Sequence, residues 1–489
     1  MKSEELKLKT DIVISDDEIK SLKSVSYNAN DLPQLILNIS ESDPLTKLKG
    51  LYGLNLLLFN EYNKEKSIQI YNGDINVIFD ILENYPEEFK IQCFKCLDLI
   101  ESINIDIEND LKIEPSEKTF AIMIYILENN EKFKLDLLVE DLEYMKILTR
   151  KDNFIEKLGG NNLYKNIKNI LIKNYTTERK LVDPCLILLS SIIKAKNGFV
   201  ENENIIEIIQ HLDSIFEFYK TDSDIKTDIL NVIYEITEKN FESPDPEQRL
   251  IMDKIIKMNL IPELIDKIDK LDINKEKLQL KSSLRILGNI ISMPEGYYTD
   301  KILEYNFLDK LKIMMEKKHS FETRKEASWI ISNIAAGTPE QLLKLYENNF
   351  PYILLDAITN EGENKVKEHC LWALYNFSNI NNLEYLDNLV EKRFIDIIIE
   401  RLKIDNGDIL CCSLEALNKI LDVGKKKDPA CFNIIETKLN EYDLLNDLKN
   451  LLKGCEEEML RNKIEVILTN YYGIQDIQNF LNSENAQNV

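Results

Sequence analysis

Apolar residues follow helical spacing along most of the chain, and short polar interruptions recur within this pattern at regular intervals. A polar residue followed by two apolar ones occurs at Asn259, Asn306, Asn349 and Arg393, which are 43 to 47 residues apart. Each site lies between two short apolar helix patterns, where Asn can adopt the left-handed helix-ending conformation that Gly usually supplies. Gly73 occupies the corresponding place in an earlier segment. Because a longer helix pattern follows each pair, we predict three helices per repeat.

The clearest predicted helix junction is at residues 337–341. Gly337 ends one helix, Thr338 caps the next, Pro339 fills its first turn and Gln341 completes a capping box. Three helices in about 43 residues are typical of armadillo repeats. The predicted fold class is therefore all-α, a right-handed superhelical solenoid of about ten armadillo repeats.

Three of the predicted third helices carry an Arg or a Trp that is followed by an Asn four residues later. Residues at i and i+4 lie on one face of a helix, so each pair projects to the same side. The pairs are one repeat apart and form a ladder, and both tryptophans of the chain belong to it. The three pairs are Arg285 with Asn289, Trp329 with Asn333, and Trp372 with Asn376.

These residue types suit the binding of a basic extended peptide. Two indoles on adjacent repeats can hold the alkyl stem of Lys or Arg between them, with a cation–π attraction of about 0.5–2 kcal/mol per contact. The Asn amide can both donate to and accept from a peptide backbone. A single Trp on a repeat helix is more often a core residue. Two tryptophans in register favour the binding interpretation.

The charge of the chain points to the same class of ligand. There are 61 basic and 85 acidic residues, which gives a net charge of −24. Such a surface repels nucleic acid and anionic membranes and attracts basic ligands. No signal peptide or membrane span is recognisable, so we expect a soluble intracellular protein.

The sequence predicts neither catalysis nor a cofactor. It contains no nucleotide-binding glycine motif, nucleophile elbow or metalloprotease motif. The eight cysteines stand in apolar runs, which predicts reduced, buried thiols. The spacing of Cys93 and Cys96 is that of half a metal or redox site, but no second half lies nearby. We therefore predict no metal.

The sequence around these three pairs resembles importin-α (karyopherin-α), strongly over 280–425 and weakly over 85–245. The matching strings are LRILGN, KEASWIISNIAAG and LWALYN, in the same order and spacing as in that family. The resemblance implies a receptor or adapter that binds basic nuclear localisation signals for protein import into the nucleus. It places the protein in cytoplasm and nucleus and implies an export receptor at the C-terminal repeats. The site it implies is the minor cargo site, formed by Arg285, Asn289, Glu326, Trp329, Ser332, Asn333, Glu368, Trp372 and Asn376.

The chain also departs from that family. At the places that correspond to the family's larger upstream site, the sequence has pairs without any indole, which favours helix packing. These pairs are Phe94 with Asp98, Tyr144 with Leu148, and Ile187 with Ser191. Phe94 and Tyr144 could still stack on a basic side chain, and Asp98 could pair with it. In the downstream site, His369 replaces an acidic residue, and we expect it to be a groove or packing residue.

The N-terminal segment does not match the basic importin-β-binding segment of the family, since residues 1–30 contain no Arg. Direct importin-β binding is therefore not expected, and the chain is either a divergent adapter or a truncation. The alternative function is an armadillo scaffold for another extended peptide, outside nuclear import. The predicted segments are a polar start (1–30), divergent repeats (31–245), repeats with the cargo-type groove (246–428), a capping repeat (429–472) and a polar tail (473–489).

Overall fold

The structure is a computed structural model in which every described element is helical, and the described residues contain no strand. Two compact units are present, Met1–Ile236 and Thr237–Val489. The structure describes residues 12, 14–61, 75–106, 115–151, 154–158, 161–195, 200–238, 245–268, 270, 276–377, 394–403, 407–427, 435–437, 439 and 442–482.

Helices make up most of the described part of the first unit. Short 3₁₀ segments precede two of them, at Ala29–Asp31 and Asn130–Lys132. The helices are α1 (Asp16–Lys23), α2 (Leu32–Ser40), α3 (Pro44–Glu61), α4 (75–84), α5 (Glu87–Asp106), α6 (Glu117–Glu128), α7 (Leu135–Leu148), α8 (Phe154–Lys157), α9 (Asn161–Asn174), α10 (Arg179–Lys194), α11 (Asn202–Phe218) and α12 (Ser223–Thr237).

The second unit repeats a pattern of two short helices and one longer helix. Its helices are α13 (Pro246–Ile255), α14 (Leu260–Lys267), α15 (Lys277–Ile291), α16 (Gly296–Leu303), α17 (Phe307–Met314), α18 (Phe321–Ala335), α19 (Pro339–Glu347), α20 (Phe350–Asn360), α21 (Asn364–Phe377), α22 (Phe394–Arg401), α23 (Gly407–Lys427), α24 (Leu444–Gly454), α25 (Glu458–Tyr472) and α26 (Ile477–Asn482).

The longer helix that ends each repeat, here called a ladder helix, stacks on the ladder helix of the next repeat. In the first unit α3, α5, α7 and α10 contact one another in that order. In the second unit α15, α18, α21, α23 and α25 do the same. Three helices per repeat with stacked third helices form the armadillo architecture that the sequence predicts.

The predicted helix ends are confirmed at three of the sites that the structure describes. Thr338 caps α19 in a capping box with Gln341. Asn306 and Asn349 have positive φ values of 57° and 64°, the predicted left-handed conformation. The prediction is wrong at Asn259, whose φ is −60°. Arg393 and Gly73 lie outside the described residues.

The buried cysteines have a packing role that explains their positions. The seventh residue of most ladder helices is small and buried, because there the helix lies against its neighbours. These seventh residues are Cys93, Asp141, Cys185, Ser283, Ala327, Cys370 and Ser413. Cys96 is buried as well, and burial raises the pKa of its thiol to about 12. Cys431 lies outside the described residues.

Both predicted polar ends contain a helix. The start includes α1, which is capped by Ser15 and buries Leu22. The tail includes α26, which contacts α24 and fully buries the ring of Phe480. The Lys449 ammonium lies 5.1 Å from the centroid of that ring. The predicted tail (473–489) thus contains a short helix, Ile477–Asn482, that packs through one aromatic ring. None of the helices over the described residues has the length and apolar character needed to cross a membrane.

Candidate functional site

The ninth residue of each ladder helix marks one exposed face of the second unit, here called the ladder face. It is neither fully buried nor fully exposed in α15, α18, α21 and α23, and it is exposed in α25. From α15 to α25 these ninth residues are Arg285, Trp329, Trp372, Glu415 and Val466. The two predicted tryptophans thus stand on adjacent stacked helices.

The indole of Trp329 is seated on the preceding ladder helix at Gly288. A Cβ atom at Gly288 would lie 2.1 Å from Trp329 Cζ3, so the indole occupies the space that any side chain there would need. The Arg285 guanidinium carbon lies 5.2 Å from the indole centroid, within range of a cation–π attraction. Gly288 and Arg285 therefore hold the indole from two sides.

The acidic residue beside this indole is neutralised by the protein itself. Glu326 is buried, and its Oε2 lies 2.7 Å from Arg285 Nε. Its other carboxylate oxygen lies 3.4 Å from Lys325 Nζ. A ligand cation at Glu326 would therefore compete with two cations already present.

The amides of the ladder are held by neighbouring polar groups. Asn333 Nδ2 donates to Ser292 Oγ at 2.7 Å, and Ser292 Oγ donates to the Gly288 carbonyl at 2.8 Å. Asn289 Nδ2 donates to Glu238 Oε2 at 3.2 Å. An amide fixed through its NH₂ group keeps its carbonyl oxygen as an acceptor, which suits it to receive a peptide N–H.

The second indole, Trp372, has a different surrounding. Its ring packs edge to face against Tyr375, with the centroids 6.1 Å apart. The buried Glu368 accepts from Lys365 Nζ at 2.8 Å. His369 is half-buried, and burial lowers its pKa, so the imidazole is neutral at pH 7. Asn376, four residues after Trp372, is half-buried.

Ser332 lies at the position equivalent to Gly288, which was not apparent from the sequence. It is the twelfth residue of α18, as Gly288 is the twelfth residue of α15. Its hydroxyl donates to the Trp329 carbonyl at 2.7 Å. A small residue thus stands at the twelfth position of the helix that precedes each indole.

Gly288 is a residue of the candidate site that the sequence interpretation missed, although it stands in the LRILGN string. A Gly in a helix interior costs about 1 kcal/mol of stability relative to Ala. A Gly at such a position therefore indicates that there is no room for a side chain.

In the first unit the ninth residues carry no indole, and they correct two of the positions predicted from the sequence. They are Tyr52 in α3, Lys95 in α5, Glu143 in α7 and Ile187 in α10. Tyr52 is buried, and the assignments of Phe94 and Tyr144 to this face are each wrong by one residue. Lys95 Nζ lies 3.4 Å from Glu140 Oε1 on the next ladder helix.

The expected packing role is confirmed by burial for three of the residues of these pairs. Phe94, Tyr144 and Leu148 are fully buried, and the rings of the first two lie 5.8 Å apart. Burial, with the nearby Glu143 carboxylate, raises the pKa of Asp98 to about 7. Ser191 donates its hydroxyl to the Ile187 carbonyl at 2.9 Å and so belongs to its own helix.

Within the described part of the chain, no group of His, Cys, Asp or Glu side chains is arranged to hold a metal ion.

Comparison with known proteins gives one distant relative and a set of structural likenesses. No known family profile matches the chain. It is 24% identical over 122 residues to a probable importin subunit alpha-A of Dictyostelium discoideum, a match that covers 25% of this chain and 21% of that protein. The chain thus spans about a fifth of this curated relative's length.

The structure is also similar to designed armadillo repeat proteins. One, solved in complex with the peptide (KR)4, is 21% identical, with a TM-score of 0.44 over 54% of this chain and 98% of that chain. Another, computationally designed for modular peptide recognition, is 20% identical, with a TM-score of 0.44 over the same shares.

Proposed function

We propose that the second unit binds an extended peptide containing Lys or Arg at Trp329, Asn333, Trp372 and Asn376. The observation that carries this proposal is the pair of half-buried indoles at the ninth positions of stacked helices α18 and α21, each followed by an Asn one helical turn later. Stacked ladder helices lie about 8–10 Å apart, a distance that about three residues of extended chain span. One extended peptide can therefore reach both indoles.

The binding energy would come from two kinds of contact. The alkyl stem of a basic side chain lies along the indole faces and its cation interacts with the ring, for about 0.5–2 kcal/mol per contact. Each Asn that pairs with the peptide backbone adds about 1 kcal/mol.

The internal ion pairs set the limits of this site. Arg285 closes it on one side by pairing with Glu326, and the ion pair of Glu415 with Lys463 closes it on the other. Between them stand the two indoles. Ligands with one short basic cluster should therefore suffice, and a second cluster should gain little because the first unit lacks indoles at the equivalent positions.

We infer that the peptide is a nuclear localisation signal and that the protein is an import receptor or adapter that works in cytoplasm and nucleus. This rests on the sequence resemblance and on the distant likeness to a probable importin subunit alpha-A. In the same proposal an export receptor binds the C-terminal repeats, and direct importin-β binding is not expected.

The experiment is a fluorescence anisotropy titration of the full chain with a labelled Lys-Arg peptide and with the same peptide carrying Glu at the basic positions. We expect only the basic peptide to bind, with an affinity that falls as salt rises from about 50 to about 200 mM, because screening weakens the attraction to the acidic protein. Preference for an aliphatic or acidic peptide would overturn the proposal and favour a scaffold outside nuclear import.

A reporter assay tests the finer proposal. A fluorescent protein fused to the bound peptide should accumulate in nuclei when this chain is supplied, and supply of the Trp329→Ala, Trp372→Ala variant should abolish that gain. Equal accumulation with the variant would show that nuclear import of the reporter does not depend on peptide binding at the two indoles.

A further inference from the structure

A cleft separate from the two-indole site opens on the ladder face, between α23 and α25. Its volume is about 190 Å³. Apolar and polar side chains line it together, namely Leu414, Glu415, Asn418, Asn462, Lys463 and Val466.

The cleft occupies the place that an indole fills elsewhere in the same unit. Trp329 is the ninth residue of its ladder helix and lies on the twelfth residue of the preceding one, Gly288. The corresponding residues of α25 and α23 are Val466 and Asn418. Val is much smaller than Trp, so the space between these two helices is left open to solvent.

The lining of the cleft specifies the kind of group it can take. Leu414 is fully buried and Val466 is 43% exposed, which gives the cleft an apolar floor and an apolar rim. Asn418 Oδ1 is buried and accepts no hydrogen bond from any described residue. A buried acceptor left in this state is costly, so a ligand that donates to it gains more than one that does not.

The charges at the cleft argue against a basic occupant. Lys463 and Glu415 form a close ion pair across the two helices, so the wall is neutral overall. This pair joins the ninth residue of one ladder helix to the sixth of the next, as Arg285 and Glu326 do, but with the charges exchanged. A ligand cation would meet the Lys463 ammonium, whereas an aromatic ring can be attracted by it.

We propose that this cleft binds one indole side chain carried by an extended segment of a partner protein. The Asn418 side chain turns its Oδ1 into the cleft and accepts from the indole N–H, the ring covers Leu414 and Val466, and Lys463 supplies the cation beside the ring. The size fits, since a cavity of about 150 Å³ already holds one benzene ring. This site is distinct from the one for basic side chains and does not depend on it.

The position of the cleft relates it to the two-indole site. It lies beyond Trp372 along the stacked helices α21, α23 and α25. At about 8–10 Å per helix and about 3.3 Å per residue, a peptide that leaves Trp372 reaches the cleft after about five residues. A basic cluster and a Trp at this spacing can therefore lie on one peptide.

The first test uses 5-fluoroindole as the probe and follows its ¹⁹F resonance on titration with the full chain. We expect a dissociation constant of about 1 mM, which is reasonable for so small a ligand. Fluorobenzothiophene has the same shape without the N–H and should bind about fivefold more weakly, since it leaves Asn418 Oδ1 unpaired.

Two variants localise the binding. Val466→Trp fills the cleft with the protein's own indole and should weaken 5-fluoroindole binding at least about tenfold, whereas Val466→Ile should keep it within about twofold. Asn418→Leu should remove the preference for indole over benzothiophene. Unchanged binding in Val466→Trp, or equal binding of the two probes to the unmodified protein, would overturn the proposal.

A peptide series tests the extended partner. A Trp placed about five residues from a Lys-Arg cluster should raise affinity about tenfold for the unmodified protein and not for Val466→Trp. If the basic peptide does not bind at all, the proposed function fails while the fluoroindole titration still reports on the cleft. If no spacing of Trp raises affinity, the extended-segment part of the inference is refuted.

Discussion

The seat of Trp329 on Gly288 allows a sharp test of how the groove is built. In a Gly288→Ala variant the new Cβ would lie 2.1 Å from Trp329 Cζ3, 2.8 Å from Cη2 and 2.9 Å from Cε3. Non-bonded carbon atoms are comfortable at about 3.5–4.0 Å, so the indole must withdraw by about 1.5 Å. The ring would then move away from the position where Arg285 now holds it.

The expected effect on stability is small because two terms oppose each other. Overpacking of this kind costs about 1–3 kcal/mol. Replacing Gly by Ala inside a helix returns about 1 kcal/mol. The net loss in the free energy of unfolding should therefore be about 0–2 kcal/mol. The affinity for a Lys-Arg peptide should fall about fivefold, because a displaced indole loses about 1 kcal/mol of contact with the ligand.

The assay uses the fact that the chain has only two tryptophans. In a Trp372→Phe background, the fluorescence and acrylamide quenching of Trp329 report its exposure directly, and we expect Gly288→Ala to increase quenching. Gly454→Ala is the matched control, because Gly454 is also helical and its added Cβ would meet nothing within 4 Å. If Gly288→Ala and Gly454→Ala behaved alike in quenching and in peptide affinity, the seating of the indole on Gly288 would be refuted.

Three further predictions concern acidic side chains that are buried or half-buried. Glu326→Gln should lower the free energy of unfolding by about 1–3 kcal/mol in urea titration, since Arg285 loses its carboxylate, and Arg285→Met in the same chain should recover part of it. Asp141→Ser should raise the free energy of unfolding by about 1–3 kcal/mol, because both buried carboxyl oxygens of Asp141 lack a hydrogen-bond partner among the described residues. A loss of stability would contradict this. Burial and a hydrogen bond with Asp183 raise the pKa of Asp228 from 3.8 to about 8, so between these pH values the folded state holds a proton that the unfolded state releases, and stability falls as pH rises. Asp228→Asn should therefore flatten the fall in Tm between pH 5 and pH 8, whereas the exposed control Glu203→Gln should not.

The repeat and the two-indole ladder were predictable because their signals are local. A capping box such as Thr338 with Gln341 depends on four consecutive residues, and the i, i+4 pairs lie on one helix face whatever their surroundings. The left-handed prediction for Asn306 and Asn349 held for the same reason. Asn259 differs because consecutive backbone bonds, such as Met258 N–H to the Ile255 carbonyl, already satisfy the end of α13. No left-handed residue is needed there.

The register of the first unit could not be read from its sequence. Ladder helices are packed on several sides, so apolar residues surround the groove position and blur its period. In α5 the fully buried Phe94 is adjacent to Lys95, and only the contact of Lys95 with Glu140 on the next helix identifies the exposed face. Such contacts link residues one repeat apart, beyond the range of a helical pattern. Gly288 shows the same limit, since its partner Trp329 lies on another helix.

The most direct test of the central claim is the affinity of a Lys-Arg peptide for the Trp329→Ala, Trp372→Ala double variant. Leu250→Ala is the control, because Leu250 is an exposed apolar residue of α13 and lies on no ladder helix. We predict that the double variant loses at least about fivefold in affinity, since each indole contributes about 0.5–2 kcal/mol of contact. Leu250→Ala should bind as the unmodified protein does. Equal affinity of the double variant and the unmodified protein would show that the indole ladder is not the peptide site.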